Sequence, residues 1–92
     1  MAVEVMFSPT PNPNSVKITA DRPFIESGSL SFTSPDKAVG HPLAEPIFAL
    51  GGIYSVFIMP QFLTVTKMPQ EDWDRLLPAI REIVVRYFEH AP

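Results

Sequence analysis

Alternating side chains predict two strands near the start of the chain. In residues 3–7 valine or phenylalanine occupies each odd position and Glu4 lies on the opposite face, and residues 15–20 alternate in the same way. Residues 9–13 between them carry proline at every odd position, and each proline fixes φ and removes a backbone donor. We therefore expect a stiff, extended connection and an antiparallel pair of strands.

The strongest strand pattern, IYSVFIMPQFLTVTK, predicts a β-hairpin in the second half of the chain. A turn at residues 60–61 places aliphatic side chains opposite one another across the hairpin. The expected pairs are Ile58 with Leu63 and Val56 with Val65. This aliphatic face is the predicted core.

The opposite face of the hairpin carries Phe57, Met59 and Phe62. Exposed together, they would form an apolar patch of the kind that marks interfaces. The alternative is that residues 21–40 fold across them. Both interpretations remain open from the sequence.

Two short helices are predicted in the middle of the chain. The first has Ser34 as its N-cap, is followed by a proline and ends after about one turn at Gly40. The second begins near His41 and ends at residues 51–52, which are both glycine. Pro46 lies inside it and is tolerated only in the first turn, where the lost N–H has no helical partner.

A longer helix is predicted over residues 69–90. Glu71 and Asp72 complement the positive end of this helix, while Pro78 removes one internal hydrogen bond. Its apolar stripe comprises Trp73, Leu76, Leu77, Ile80, Val84, Tyr87 and Phe88.

These elements predict an α+β fold in one domain over residues 1–92. We expect two layers, a mainly antiparallel sheet with helices on one face, in the order β-β-(β)-α-β-β-α. The strand in brackets is a short one through Leu30 and Phe32.

Composition narrows the classes of partner. The chain has 92 residues, 46% hydrophobic and 18% charged, which is typical of a globular domain. Its net charge is −3 and no two basic residues are adjacent, so nucleic acid is not an expected partner. Its most apolar stretch is interrupted by residues 51–52 and Pro60, and Glu4 lies where a secretory signal is positive. We expect a soluble, cytoplasmic protein without membrane contact.

Candidate chemistry is sparse. The absence of cysteine excludes disulfides, thiolate nucleophiles and cysteine-ligated metal clusters within this chain. His41 and His90 lie at predicted helix ends without other ligands at metal-binding spacing, and the acidic residues at 71–74 match an ordinary first helical turn. We therefore predict that the chain is not an enzyme.

Several segments together resemble the N-terminal domain of Nfu/NifU-type iron–sulfur scaffold proteins. The most specific are TPNPN at residues 10–14 with Lys17, FLTVTK at residues 62–67, and Asp72-Trp73. The resemblance extends from about residue 7 to residue 88 and implies a compact α+β domain.

Two departures from this family pattern limit what the resemblance implies. His41 stands where the family often has serine, and Pro46 is unusual in that helix. In full-length members a following domain carries a CxxC motif whose cysteines hold the cluster, and this chain has no cysteine. The resemblance therefore implies no cofactor bound by this chain.

The resemblance does imply a protein-interaction module, which we separately expect to be a monomer. Its expected partners are a scaffold that bears a CxxC motif or apo forms of iron–sulfur proteins. The predicted contact residues are Thr10, Asn12, Asn14, Lys17, Phe57, Phe62 and Lys67.

Three alternatives remain at this stage. One is a small-ligand or iron-binding protein that uses carboxylate and histidine ligands. A second is a small enzyme, and a third is a segment of a longer scaffold chain.

Overall fold

The computed structural model describes residues 3–90. Its elements, in chain order, are β1 (Val5–Pro9), β2 (Ser15–Ala20), β3 (Leu30–Phe32), α1 (Pro35–Ala38), α2 (Ala44–Ala49), β4 (Ile53–Ile58), β5 (Leu63–Lys67) and α3 (Trp73–His90). The strands form one sheet in the order β1-β2-β5-β4-β3, and every neighbouring pair is antiparallel. The α+β class, the antiparallel sheet and the helices on one face are confirmed, with two short helices in the middle of the chain.

The first strand continues into the proline-rich segment. β2 has the predicted bounds, but β1 begins two residues later than expected, at Val5, and ends at Pro9, which lies opposite Val16. β1 is an edge strand, where a residue without an N–H donor is tolerated because one side of the strand has no ladder to complete.

The hairpin of β4 and β5 has the predicted register. Val56 lies opposite Val65 and Ile58 opposite Leu63, and all four side chains are fully buried. A bulge near Ile53 shifts the register at the far end of the hairpin. These aliphatic pairs form the centre of the core, as the pattern predicted.

Residues 21–40 do not cover the opposite face of the hairpin at Phe57. Phe24 turns into the core, where it is 2% exposed and its ring centroid lies 5.3 Å from that of Phe88. β3 pairs edge to edge with β4, placing Ser31 beside Phe57. Phe57 is therefore left 36% exposed.

The long helix begins at Trp73, not at residue 69 as predicted. Residues 69–70 instead form a turn, closed by the N–H of Glu71 donating to the carbonyl of Met68 at 3.0 Å. Asp72 then caps the helix, because its carboxylate accepts the N–H of Asp74 at 2.9 Å. The capping bond of Asp72 therefore marks the start of the helix, after the turn that contains Pro69.

Pro78 lies inside α3, as predicted. The helix buries Leu76, Ile80, Val84 and Phe88 against the sheet. The other members of the predicted stripe are only partly buried beside this core, namely Trp73, Leu77 and Tyr87.

His41 caps the second helix through its side chain. Its Nδ1 accepts the N–H of Leu43 at 3.2 Å and of Ala44 at 3.1 Å, which requires a neutral imidazole. Pro46 is the third residue of α2, so its missing N–H costs no helical bond. The helix-end role expected for His41 is confirmed, whereas the side chain of His90 lies outside the described part of the structure. Ser34 precedes α1 but makes no capping bond with its side chain.

Mild acid should destabilise the fold through His41. Burial lowers the pKa of its imidazole below the ordinary 6.5, so the unfolded chain binds more protons than the folded chain as the pH falls below that value. The stabilisation by the cap is complete above about pH 6.5 and is lost as the pH falls through the lower pKa of the folded state. Urea unfolding midpoints at about pH 7.5 and about pH 5 measure the loss.

The control for this prediction is His41→Asn, which keeps an uncharged side-chain acceptor at both pH values. Between these two pH values, the urea unfolding midpoint of His41→Asn should fall less than that of the unsubstituted chain. Equal losses in the two proteins would show that His41 does not carry the pH dependence.

Candidate functional site

The predicted contact residues separate into two groups in the folded chain. One group surrounds residues 9–14, a segment we call the proline corner, and comprises Thr10, Asn12, Asn14 and Lys67. The other group lies on the outer face, the side of the sheet opposite the helices, and comprises Lys17, Phe57 and Phe62. The first group is engaged in hydrogen bonds within the chain, and the second lies on the open face of the sheet.

Hydrogen bonds within the proline corner occupy its polar side chains. The hydroxyl of Thr10 donates to the carbonyl of Asn12 at 2.8 Å and lies 3.1 Å from that of Ser15. The side-chain oxygen of Asn12 accepts the N–H of Asn14 at 2.9 Å. The prolines of this segment have no N–H to donate. The hydrogen bonds of the Thr10 and Asn12 side chains therefore brace the turn between β1 and β2.

Lys67 is a buried structural residue. Only 7% of it is exposed, and its ammonium donates to the side-chain oxygen of Asn14 at 3.0 Å. It also lies 5.7 Å from the centroid of the Trp73 ring, within cation–π range. Trp73 in turn donates from Nε1 to the carbonyl of Pro13 at 3.0 Å. Lys67 therefore joins the proline corner to β5 and to the start of α3, and it is not available as a surface contact.

Trp73 was predicted only as part of the helical stripe. Its bond to Pro13 spans 60 positions, and no local spacing rule identifies such a pair. The one sequence signal was that both residues fall in segments that carry the family resemblance.

A shallow groove of about 300 Å³ lies beside the proline corner. Its walls include Phe7, Pro9, Pro13, Val16, Trp73 and Leu77. The edge strand next to it is protected, because Pro9 has no N–H and Arg81 donates to the carbonyl of Val5 at 3.1 Å.

The outer face brings together Lys17, Phe57 and Phe62, which we call the Lys–Phe platform. The ammonium of Lys17 lies 5.1 Å from the centroid of the Phe62 ring. The rings of Phe57 and Phe62 are 6.3 Å apart and tilted by 52°, a favourable aromatic pair. Three residues from three different strand regions thus form one continuous surface.

Hydroxyl side chains surround the platform. Across the sheet, Lys17 lies between Ser8 on one neighbouring strand and Thr64 on the other. Phe57 lies on the far side of Thr64. The only charged side chains within the five strands are Lys17 and Lys67, and Lys67 is buried on the inner face. Lys17 is therefore the single charge among the strand residues of the outer face.

The iron-binding alternative has no observation in its favour among residues 3–90. The described side chains bring no three of His, Cys, Asp or Glu together in an arrangement that could hold a metal ion.

Within the same residues, no helix is long and apolar enough to cross a bilayer.

Comparison with known proteins connects this architecture to one family. A sequence model described as the N-terminal domain of the scaffold protein Nfu/NifU matches residues 5–91. The human mitochondrial NFU1 iron-sulfur cluster scaffold homolog is 41% identical over 80 residues. This match covers 86% of the chain but only 32% of the human protein. The chain thus spans about a third of the length of that relative.

Solved structures share the fold. The solution structure of a NifU-like protein from Saccharomyces cerevisiae superposes with a TM-score of 0.83 at 21% identity, covering 98% of this chain and 82% of that one. A crystal structure of a Staphylococcus aureus protein has a TM-score of 0.73 at 26% identity, covering 91% of this chain and 99% of that one. In the second case the shared domain accounts for nearly the whole solved chain.

Truncation of Asn14 should destabilise the fold, because the ammonium of Lys67 would stay buried without its main acceptor. We expect Asn14→Ala to lower the free energy of unfolding by about 1–3 kcal/mol. Urea unfolding followed by the fluorescence of Trp73, the single tryptophan, measures the change.

A double-mutant cycle with Lys67→Met provides the control. Because the two side chains act on each other, the double variant should lose less stability than the sum of the single variants, by about 0.5–3 kcal/mol. Additive losses would contradict the assignment of Asn14 and Lys67 to one structural network.

Proposed function

The chain belongs to the family of Nfu/NifU N-terminal domains, and from this premise we propose that it is a non-catalytic protein-interaction module of iron–sulfur cluster assembly or delivery. In this proposal it acts with a separate scaffold that carries the cluster, or with an apo-protein that awaits one. The human relative is named as a cluster scaffold, and this chain matches about a third of it. The role is therefore proposed for the shared domain alone.

The observation that carries the proposal is the Lys–Phe platform, in which Lys17 and Phe57 are exposed and Phe62 is partly buried. Two aromatic rings and one lysine lie side by side on a sheet face that residues 21–40 leave open at Phe57, itself 36% exposed. Aromatic side chains are enriched at protein interfaces, where they contribute large contact areas at low conformational cost. A face of this composition is suited to recognising another protein.

The platform is also held rigidly. Phe57 lies in β4, between the ladders to β3 and β5, while Lys17 lies in β2, between those to β1 and β5. Interior strands leave little backbone freedom to be lost when a partner binds. The rigid sheet thus favours a preformed recognition surface.

The composition of the chain supports assigning the cluster ligands to the partner. It contains no cysteine, and thiolates are the usual ligands of iron–sulfur clusters. In the proposed function the partner supplies these ligands and this chain contributes recognition. A monomeric state and a cytoplasmic location are part of the same proposal, although the human relative is named as mitochondrial.

Removing the platform rings should weaken binding to the partner. We expect the chain to bind a CxxC-bearing scaffold or an apo iron–sulfur protein of its own organism. The double variant Phe57→Ser/Phe62→Ser should bind at least about tenfold more weakly, because buried aromatic contacts often contribute more than about 1 kcal/mol each. Isothermal titration calorimetry with the purified proteins measures both affinities.

Val39→Ser is the matched control, since Val39 is 70% exposed and lies directly after α1, outside the Lys–Phe platform. It should bind like the unsubstituted chain, and circular dichroism should show that all variants are folded. Failure to bind any scaffold or apo-protein, or binding that is unchanged in the folded double variant, would refute the proposed function.

A further inference from the structure

We propose that the outer face recognises an acidic–apolar protein segment, meaning one in which a carboxylate side chain lies next to an aromatic or aliphatic one. This inference rests on the proposed function and adds the chemistry of the partner. It follows from the distribution of charge over the fold and from the geometry of the Lys–Phe platform.

The strand residues of the outer face carry one positive charge and no carboxylate, in a chain that is acidic overall. All ten carboxylate side chains lie in helices or loops, and the net charge is −3. Lys17 is the only charged residue of the strands that is not buried on the inner face. A partner surface with a carboxylate at its centre therefore has complementary charge at Lys17.

Lys17 is available for such a carboxylate. The ion pairs formed within residues 3–90 involve Arg22, Arg75 and Arg86. Lys17 instead lies over the ring of Phe62, with hydroxyl residues on the neighbouring strands. Because Lys17 is exposed and lies beside an aromatic ring, a carboxylate can reach its ammonium while the side chain next to that carboxylate packs on the ring.

The geometry of the platform sets the spacing in the partner. The ammonium of Lys17 lies 5.1 Å from the Phe62 ring, and that ring lies 6.3 Å from Phe57. Side chains two apart on a strand are separated by about 6.6 Å, and those three or four apart on a helix by about 5–6 Å. Either arrangement places a carboxylate on Lys17 and an apolar side chain on the two rings.

A second copy of this chain is a poorer occupant. Pairing the outer face with itself about a two-fold axis through Lys17 would bring two ammonium groups together. One end of the face carries Glu4, beside Met6 and Thr19, and would repel the partner's carboxylate. The acidic segment is therefore expected to lie towards Phe57.

Selection from a displayed library of random peptides of about 12 residues tests the proposed chemistry. Peptides enriched on the immobilised full chain should carry Asp or Glu within four positions of an aromatic or aliphatic residue. A synthetic peptide of the enriched sequence should shift the amide NMR signals of Lys17, Phe57 and Thr64. Its twin, with every Asp and Glu replaced by the corresponding amide, should bind about tenfold more weakly.

Two charge reversals separate a specific contact from a general effect of charge. Lys17→Glu should abolish the preference for acidic peptides, and Lys37→Glu, which makes the same change on an exposed residue of α1, should not. Equal weakening by both variants, selection without acidic enrichment, or self-association through this face in light scattering would overturn the inference.

The outcomes also distinguish this inference from the proposed function. If an iron–sulfur partner binds through Phe57 and Phe62 and is indifferent to Lys17→Glu, the function stands and the acidic segment is wrong. If acidic–apolar peptides bind as described while no scaffold or apo-protein does, the chemistry of the face stands and the proposed function is wrong.

Discussion

The structure depends on how the ammonium of Lys67 is accommodated inside the fold. A buried charge must be hydrogen-bonded, and here Asn14 accepts from it while the ring of Trp73 lies 5.7 Å away. Trp73 completes the arrangement by donating to Pro13. The three segments that most resemble the family meet at this point, so they hold β5, the proline corner and the start of α3 in one arrangement.

This arrangement separates the structural residues from those that remain for recognition. The polar groups of the proline corner bond to one another, and the described chain leaves no buried side-chain nitrogen or oxygen without a partner. On the other side of the sheet, Lys17 and the rings of Phe57 and Phe62 meet no helix. A rigid inner layer thus presents an outer face whose chemistry fits a protein partner.

Local patterns predicted much of this fold because they depend on neighbouring residues alone. The register of Ile58 with Leu63 follows from alternation about a short turn, and the helix-end position of His41 follows from the proline after it. Boundaries were less predictable. The extension of β1 to Pro9 depends on its being an edge strand, and the start of α3 depends on Asp72 being free to cap it.

By itself, the sequence determined the class of fold, the buried face of the central hairpin and the absence of thiolate ligands, because periodicity and composition are local properties. Only the tertiary structure decided which predicted contact residues are buried and which are exposed. Lys67 meets Asn14 across 53 positions and Trp73 meets Pro13 across 60. A pattern read along the chain contains no information on such distant bonds, so it could not tell a buried lysine from the exposed Lys17.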